Sequence, residues 1–296
     1  MKTIPTTEYP GFVYQEKGNR HNYFLDGKLM TGVTTFLKVA GDKEGLQVWY
    51  ANLATAKAFL TGTPSGFKEN YDAVIKKLGK LTSEGARELD KLHPEFKEAR
   101  LAAMGVRDDA ADVGKAAHKF CEETEKGNIV SVEETIALRA KPYLDWYEKN
   151  IEKTHFVEKP LFSKSMFAGG TPDGGFLTKD GKNLINDKKF KNSIHDPSAF
   201  WQMAAYRMMI EEMAQDNETP VRLELADDSI ETYKSSKEYL GSIGGLTWDG
   251  SVVILIDGSG DVKPTYRYAY EEDLEVFKSA VKIKRAIDSY KIPWHN

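Results

Sequence analysis

GGTPDGGFLTKDGKNLINDKKF, residues 169–190, is the stretch whose reading decides the fold. It reads as two strands, Thr171–Thr178 and Asn183–Phe190, joined at Asp180-Gly181, a hairpin signal. Side chains alternate across a strand, so Asp187 and Lys189 project from one face. Loop length then decides where Asp173 lies. A two-residue loop pairs Lys179 with Lys182, sets Asp173 opposite Lys188 and puts the two aspartates on different faces. A three-residue loop, Asp180 to Lys182, sets Asp173 opposite Lys189, and both carboxylates share a face. A bulge at Gly174-Gly175 has the same effect. One of these two departures is expected, with the carboxylates about 4–6 Å apart, the spacing a shared cation allows.

Two carboxylates on a small sheet suit a hard cation such as Mg²⁺. A lysine beside them orients an attacking water or stabilises charge on a phosphate. The flanking segments add candidates. Residues 109–126 read as a helix whose Val113, Ala116, Ala117, Phe120 and Thr124 make one buried stripe. His118 lies on its polar side, with Gly114 one turn before and Glu122 one turn after. A histidine completes the shell of a cation, and a glycine lets substrate or sheet approach. Gln202 and Tyr206, spaced i and i+4, share a face of a helix over Pro197–Gln215. Glu158 sits on a strand-like run, His155–Phe162, before the hairpin.

Further out, Phe12-Val13-Tyr14 and Tyr23-Phe24-Leu25 read as strands around a polar turn, and Asp26-Gly27 marks a second turn. A helical pattern starts with Thr34 or Thr35 as N-cap and carries Phe36, Leu37, Leu46, Val48, Trp49, Leu53, Ala56 and Leu60, broken near Gly41-Asp42. Residues 67–107 read as polar helix, a solvated arm or a lid over a channel. Another helix covers about 131–151. Strands over Ser251–Asp257 and Lys263–Tyr270 precede a last helix, Glu271–Tyr290, while residues 221–248 are ambiguous. This order predicts an α/β (α+β) fold, a small mixed central sheet flanked by helices with a helical N-terminal elaboration. The expected division is an N-terminal region, 1–108, and a core, 109–296.

With 296 residues, 41% of them hydrophobic and 29% charged, the chain suits one large domain or two modest ones. The composition excludes disordered, collagen-like and disulfide-scaffold classes. No apolar run approaches the length of a membrane-spanning helix, and Met1–Pro5 lacks the apolar core of a secretory signal. The single cysteine, Cys121, excludes an internal disulfide and a site held by several cysteines, and it fits a reducing cytoplasm. At a net charge of −4, any nucleic-acid surface must be local. Lys179, Lys182, Lys188, Lys189 and Lys191 concentrate positive charge around the hairpin. Trp49, Tyr50 and Trp201 are candidates for stacking on unpaired bases, with core packing as the plainer role.

Taken together, the motifs resemble the PD-(D/E)xK nuclease superfamily and, within it, the RecB-like exonuclease branch. The pattern there is G-x-x-x-H on a helix, then G-x-x-D, D-x-K and Q-x-x-x-Y. It appears here, in that order, as Gly114 to His118, Gly170-Thr171-Pro172-Asp173, Asp187-Lys188-Lys189 and Gln202 to Tyr206. Tyr23–Gly27, Gly32–Leu37 and Gly45–Trp49 look like the N-terminal part of phage and mitochondrial members. The resemblance covers about residues 12 to 290 and implies a restriction-endonuclease-like core. It implies a metal-dependent deoxyribonuclease, most simply an exonuclease in recombination, repair or phage replication. A nuclease-fold DNA-binding protein with a weak site and a restriction-type endonuclease are the rival readings. By this resemblance His118, Asp173, Asp187 and the Lys188 backbone carbonyl hold Mg²⁺ or Mn²⁺, and Lys189 activates water or stabilises the transition state. Glu158 joins the catalytic acids, while Gln202, Tyr206, Lys191 and Thr34 support the site or touch DNA. The branch also has iron–sulfur members with several cysteines, which this chain lacks. Implied partners are single-stranded DNA or a duplex end and a strand-annealing or replication protein, in the cytoplasm of a bacterial or phage-infected cell. Lys188 stands where the branch carries an apolar residue, and Phe190 where it carries Thr or Ser.

Overall fold

Leu184 to Lys188 is buried residue after residue, as in a strand paired on both edges and covered on both faces. The structure is a computed structural model that describes residues 5–18, 20–40, 67–78, 89, 91–128, 131–191 and 197–290. It places this strand, β9 (Asn183–Lys189), in the middle of a five-stranded mixed sheet. On one side lie β8 (Gly174–Thr178) and then β5 (Ile151–Val157); on the other lie β12 (Gly250–Ile256) and then β13 (Val262–Arg267). β9 is antiparallel to β8 and parallel to β12. A parallel link needs a crossover, and α5 (Ser198–Gln215) supplies it. Met203, Ala204, Met209, Ile210 and Met213 of α5 pack into one apolar core with Ile185, Val253 and Phe277, the last from α7 (Tyr270–Ser289). The other face meets the end of α3 (Pro94–Glu125) and α4 (Ala137–Asn150), where Tyr147 packs edge-on to Phe176 at 5.8 Å.

A second five-stranded sheet runs β11 (Ile230–Tyr233), β10 (Val221–Glu224), β1 (Phe12–Lys17), β2 (Arg20–Leu25) and β3 (Lys28–Leu29). A three-stranded sheet joins β4 (Thr31–Gly32), β7 (Ala168–Gly170) and β6 (Leu161–Ser163). The fold is therefore mixed α/β. Among the described residues no helix is long and apolar enough to cross a membrane.

The chain divides into two compact units, 1–41 with 116–296, and 42–115. This differs from a boundary at 108. Phe12, Val13 and Tyr14 are almost fully buried, and an isolated hairpin cannot bury them. They reach cover because β1 pairs in parallel with β10, more than two hundred residues later. In the smaller unit, α2 (Phe67–Leu78) carries Asn70, whose Nδ2 lies 3.0 Å from Nε2 of the buried His93.

Other expectations shift locally. The run His155–Phe162 breaks at Glu158 into β5 and β6. β8 begins only at Gly174, because Pro172 has no N–H for a ladder. The helix expected to be capped by Thr34 or Thr35 starts at Val33 as α1 (Val33–Leu37), with Gly32 at the N-cap and no side-chain bond. The rest of that pattern, Leu46 to Leu60 with Trp49 and Tyr50, lies outside the described residues. α3 starts at Pro94, a residue suited to a first helical turn. Its stripe is buried at Ala117 and Phe120, joined by Cys121, and half-buried at Val113, Ala116 and Thr124. The ambiguous 221–248 holds β10, β11 and α6 (Ser236–Leu240), capped by the Ser235 hydroxyl.

Gly169 and Gly170 are required by two rings. A Cβ on Gly169 would stand 2.3 Å from Tyr23 Cγ, and one on Gly170 2.4 Å from Tyr206 Cε1 and 3.2 Å from Val33 Cγ2. Tyr206 is buried and cannot retreat. Gly170→Ala is expected to cost about 1–3 kcal/mol through overpacking. Denaturant unfolding measures it, and the cost should shrink in a Tyr206→Leu background. Equal costs in both backgrounds would show that the ring is not the obstacle.

Candidate functional site

The hairpin register brings the acids together. Gly174 pairs with Asn186, and Leu177 with Asn183. Thr178 N–H donates to Lys182 O at 2.9 Å and Gly181 N–H to Thr178 O at 2.9 Å. The loop is thus three residues long, Lys179 to Gly181, one position earlier than the three-residue loop expected. The third position of such a loop is left-handed, and Gly181 sits there with φ of +84°. Continued by one pair, this register sets Asp173 opposite Asp187 on a shared face. The irregularities fall on β5 against β8 rather than on the β8–β9 ladder.

Among the described residues, His118, Glu158 and Asp173 form one group, each offering one ligand atom, all within 4.8 Å of one another. His118 comes from the end of α3, its Nδ1 3.6 Å from Asp173 Oδ2. The Phe190 ring stands edge-on to the imidazole, 4.9 Å between centroids, and limits its rotation. Burial pulls the His118 pKa down, although Asp173 opposes it, so a neutral ring with a lone pair is favoured. Asp173 Oδ2 accepts the Lys188 backbone N–H at 2.7 Å. Burial works against its charge, but His118, Lys188 and Lys189 prevail and hold it below the usual carboxylate range. Glu158 follows β5 in a left-handed conformation, φ +43°, costly for a non-glycine residue. Its N–H donates to Asp173 O at 3.2 Å. Burial and the Asp173 charge push its carboxyl up to about 9.

Asp187 stands outside this group. Its buried carboxylate lies 2.8 Å from Lys189 Nζ, the same-face pair expected from strand alternation. Burial pushes Asp187 up to about 6 against the pull of Lys189. Lys188 turns to the opposite face and is not part of a surface patch. Its ammonium is 2% exposed and lies 2.9 and 3.0 Å from the two Glu125 oxygens. Burial alone would lower the Lys188 pKa, but Glu125 holds it above the ordinary lysine range. Glu125 also accepts the Tyr143 hydroxyl. Neither Glu125 nor Tyr143 was singled out in the sequence. The signal was there for Glu125, seven residues after His118 on the same helix face, opposite a lysine in a buried strand.

Gln202 Nε2 donates to Tyr206 OH at 2.6 Å. Both line a cavity of about 410 Å³ with Thr34 and Thr171, two residues before Asp173. Tyr23 OH lies 3.0 Å from Thr171 Oγ1 at its wall. Lys191 is exposed just past β9. Lys179 and Lys182 sit at the far end of the hairpin, so the basic residues split between its two ends. Trp201 is half-buried against the apolar core.

Two carboxylates and an imidazole at this spacing suit a divalent cation. A buried acid pushed up beside another carboxylate is a group whose charge such a cation would balance. Comparison with protein-family models matches none to this chain, and comparison with curated proteins gives no match.

Proposed function

We propose that the chain is a metal-dependent deoxyribonuclease, acting as an exonuclease in DNA recombination, repair or phage replication, in the cytoplasm of a bacterial or phage-infected cell. The observation that carries this reading is the His118, Glu158 and Asp173 cluster beside the Asp187–Lys189 pair. We read α3, the β5-β8-β9 meander, the α5 crossover and β12 as a restriction-endonuclease-like core. In this reading His118, Glu158 and Asp173 hold Mg²⁺ or Mn²⁺, with Asp187 next to them.

A divalent ion held there would lower the pKa of an attacking water and offset charge building on the phosphate. The chain does the rest. The Lys188 N–H keeps Asp173 ionised and aimed, and Phe190 fixes the His118 ring. Lys189, steered by Asp187, presents its ammonium to the phosphate or the attacking water. The neutral hydroxyls and amide of Thr34, Thr171, Gln202 and Tyr206 offer hydrogen bonds to DNA sugar and phosphate oxygens.

One observation favours a rival, a nuclease-fold DNA-binding protein with a weak site: Asp187 is engaged by Lys189 rather than closed onto the cluster. A cleavage assay decides. End-labelled single- and double-stranded DNA is expected to release mononucleotides or short oligomers with Mg²⁺ or Mn²⁺ and to survive in EDTA. Intact DNA in both metals would overturn the nuclease; retained binding would then favour the rival. Discrete internal cuts would indicate an endonuclease.

A further inference from the structure

We propose that the turn end of the β8–β9 hairpin carries a second strand-binding site, taking an unpaired DNA segment by stacking bases on Tyr266 and Tyr268 and pairing phosphates with Lys149 and Lys179. A cavity of about 400 Å³ opens there, walled by these four residues with Asp180 and Lys182. Tyr266 and Tyr268 are 42% and 51% exposed, so each ring presents aromatic surface to solvent. Tyr266 lies in β13 and Tyr268 just past its end, and both line the same cavity. Lys182 Nζ sits 5.0 Å from the Tyr268 ring centre and 3.3 Å from its hydroxyl, fixing that ring. Asp180, the one acid among the described lining residues, is 3.4 Å from Lys182. Those two charges offset each other. Lys179 donates to the Glu148 main-chain carbonyl at 2.5 Å and, among the described residues, makes no ion pair with a carboxylate. The surplus around the rings is therefore positive.

Rings beside lysines are the chemistry of single-strand binding, since every nucleotide offers a flat base and a phosphate. An acidic peptide would use the lysines and leave the rings idle. The site is separate from the acids. From the turn, Lys182 lies five residues along the chain from Asp187, about 17 Å at ~3.3 Å per residue, or roughly five stacked nucleotides at ~3.4 Å each, while Tyr266, level with Asn186 through Val252, stands two strands to the side of the acids. The choice of DNA rests on the nuclease reading; the stacking and charge argument does not.

The test is fluorescence anisotropy in EDTA with labelled oligothymidylates well above and below that length. Tyr266→Ala/Tyr268→Ala is expected to weaken binding of the long oligomer about tenfold or more and to leave the short one unchanged. Tyr266→Phe/Tyr268→Phe should bind nearly as wild type, which separates stacking from a folding defect. Lys149→Glu/Lys179→Glu should flatten the salt dependence by about 1.4 in log–log slope, two contacts at ~0.7 each. Unchanged affinity in the Tyr→Ala pair overturns the proposal. So does a loss confined to the lysine variant, which would mark a general surface for acidic peptides. Ring-dependent binding by a chain that leaves DNA intact with Mg²⁺ supports this site and overturns the nuclease.

Discussion

Lys188→Met is expected to destabilise the folded chain by about 3–5 kcal/mol, the largest stability effect of any single change at the site. The cause is what it leaves behind. Glu125 has a side chain 0% exposed, and Lys188 is the only cation placed against its carboxylate among the described residues. Removing the lysine strands that charge next to the Tyr143 hydroxyl in a region closed to water. The intact pair is not itself a large source of stability, since burying two charges costs about as much as their attraction returns. Lys188→Met with Glu125→Leu and Tyr143→Phe should therefore recover most of the loss. Guanidinium unfolding of the single and triple variants checks both statements. A single variant within about 1 kcal/mol of wild type would mean that Glu125 escapes its charge cheaply, by taking a proton.

Lys189→Ala is expected to lower cleavage by about 10²–10³-fold while DNA binding persists, the usual loss when one donor to a developing oxyanion is removed. The side chain is 32% exposed and makes its named contact with Asp187, so it reaches toward solvent rather than into the core. Stability should fall little near pH 5. Asp187 already sits at about 6, above an ordinary aspartate. Without Lys189 its pKa rises further, and it neutralises instead of remaining a bare buried charge. A group raised in the folded state loses its contribution as pH climbs through that value. The stability gap from wild type should thus widen from pH 5 to pH 8. End-labelled cleavage at saturating DNA, with melting curves at both pH values, tests the pair of claims. Cleavage unchanged in Lys189→Ala would remove this residue from the chemistry.

The elements around the hairpin were legible because their signals are local. Alternation along β9 placed Asp187 and Lys189 together, and Gly181 demanded a left-handed turn position, though pattern alone did not say which three residues make the loop. Helical spacing put Gln202 beside Tyr206. The N-terminal strands were legible as strands, but their partner was not. β1 joins β10 through a pairing that no local pattern encodes, and this assigns the first forty residues to the larger unit.

The sequence by itself determined the strand or helix character of the segments around the hairpin and the shared face of Asp187 and Lys189. Periodicity and turn residues act over a few positions, and those features need nothing more. Only the tertiary structure decided how the candidate site residues divide. It drew Glu158, at the end of a neighbouring strand, to His118 and Asp173, and left Asp187 with its lysine. It turned Lys188 from an apparent surface cation into the buried partner of Glu125. Burial and charge compensation between distant segments fix those outcomes, and they exist only once the helix end and the sheet are packed together.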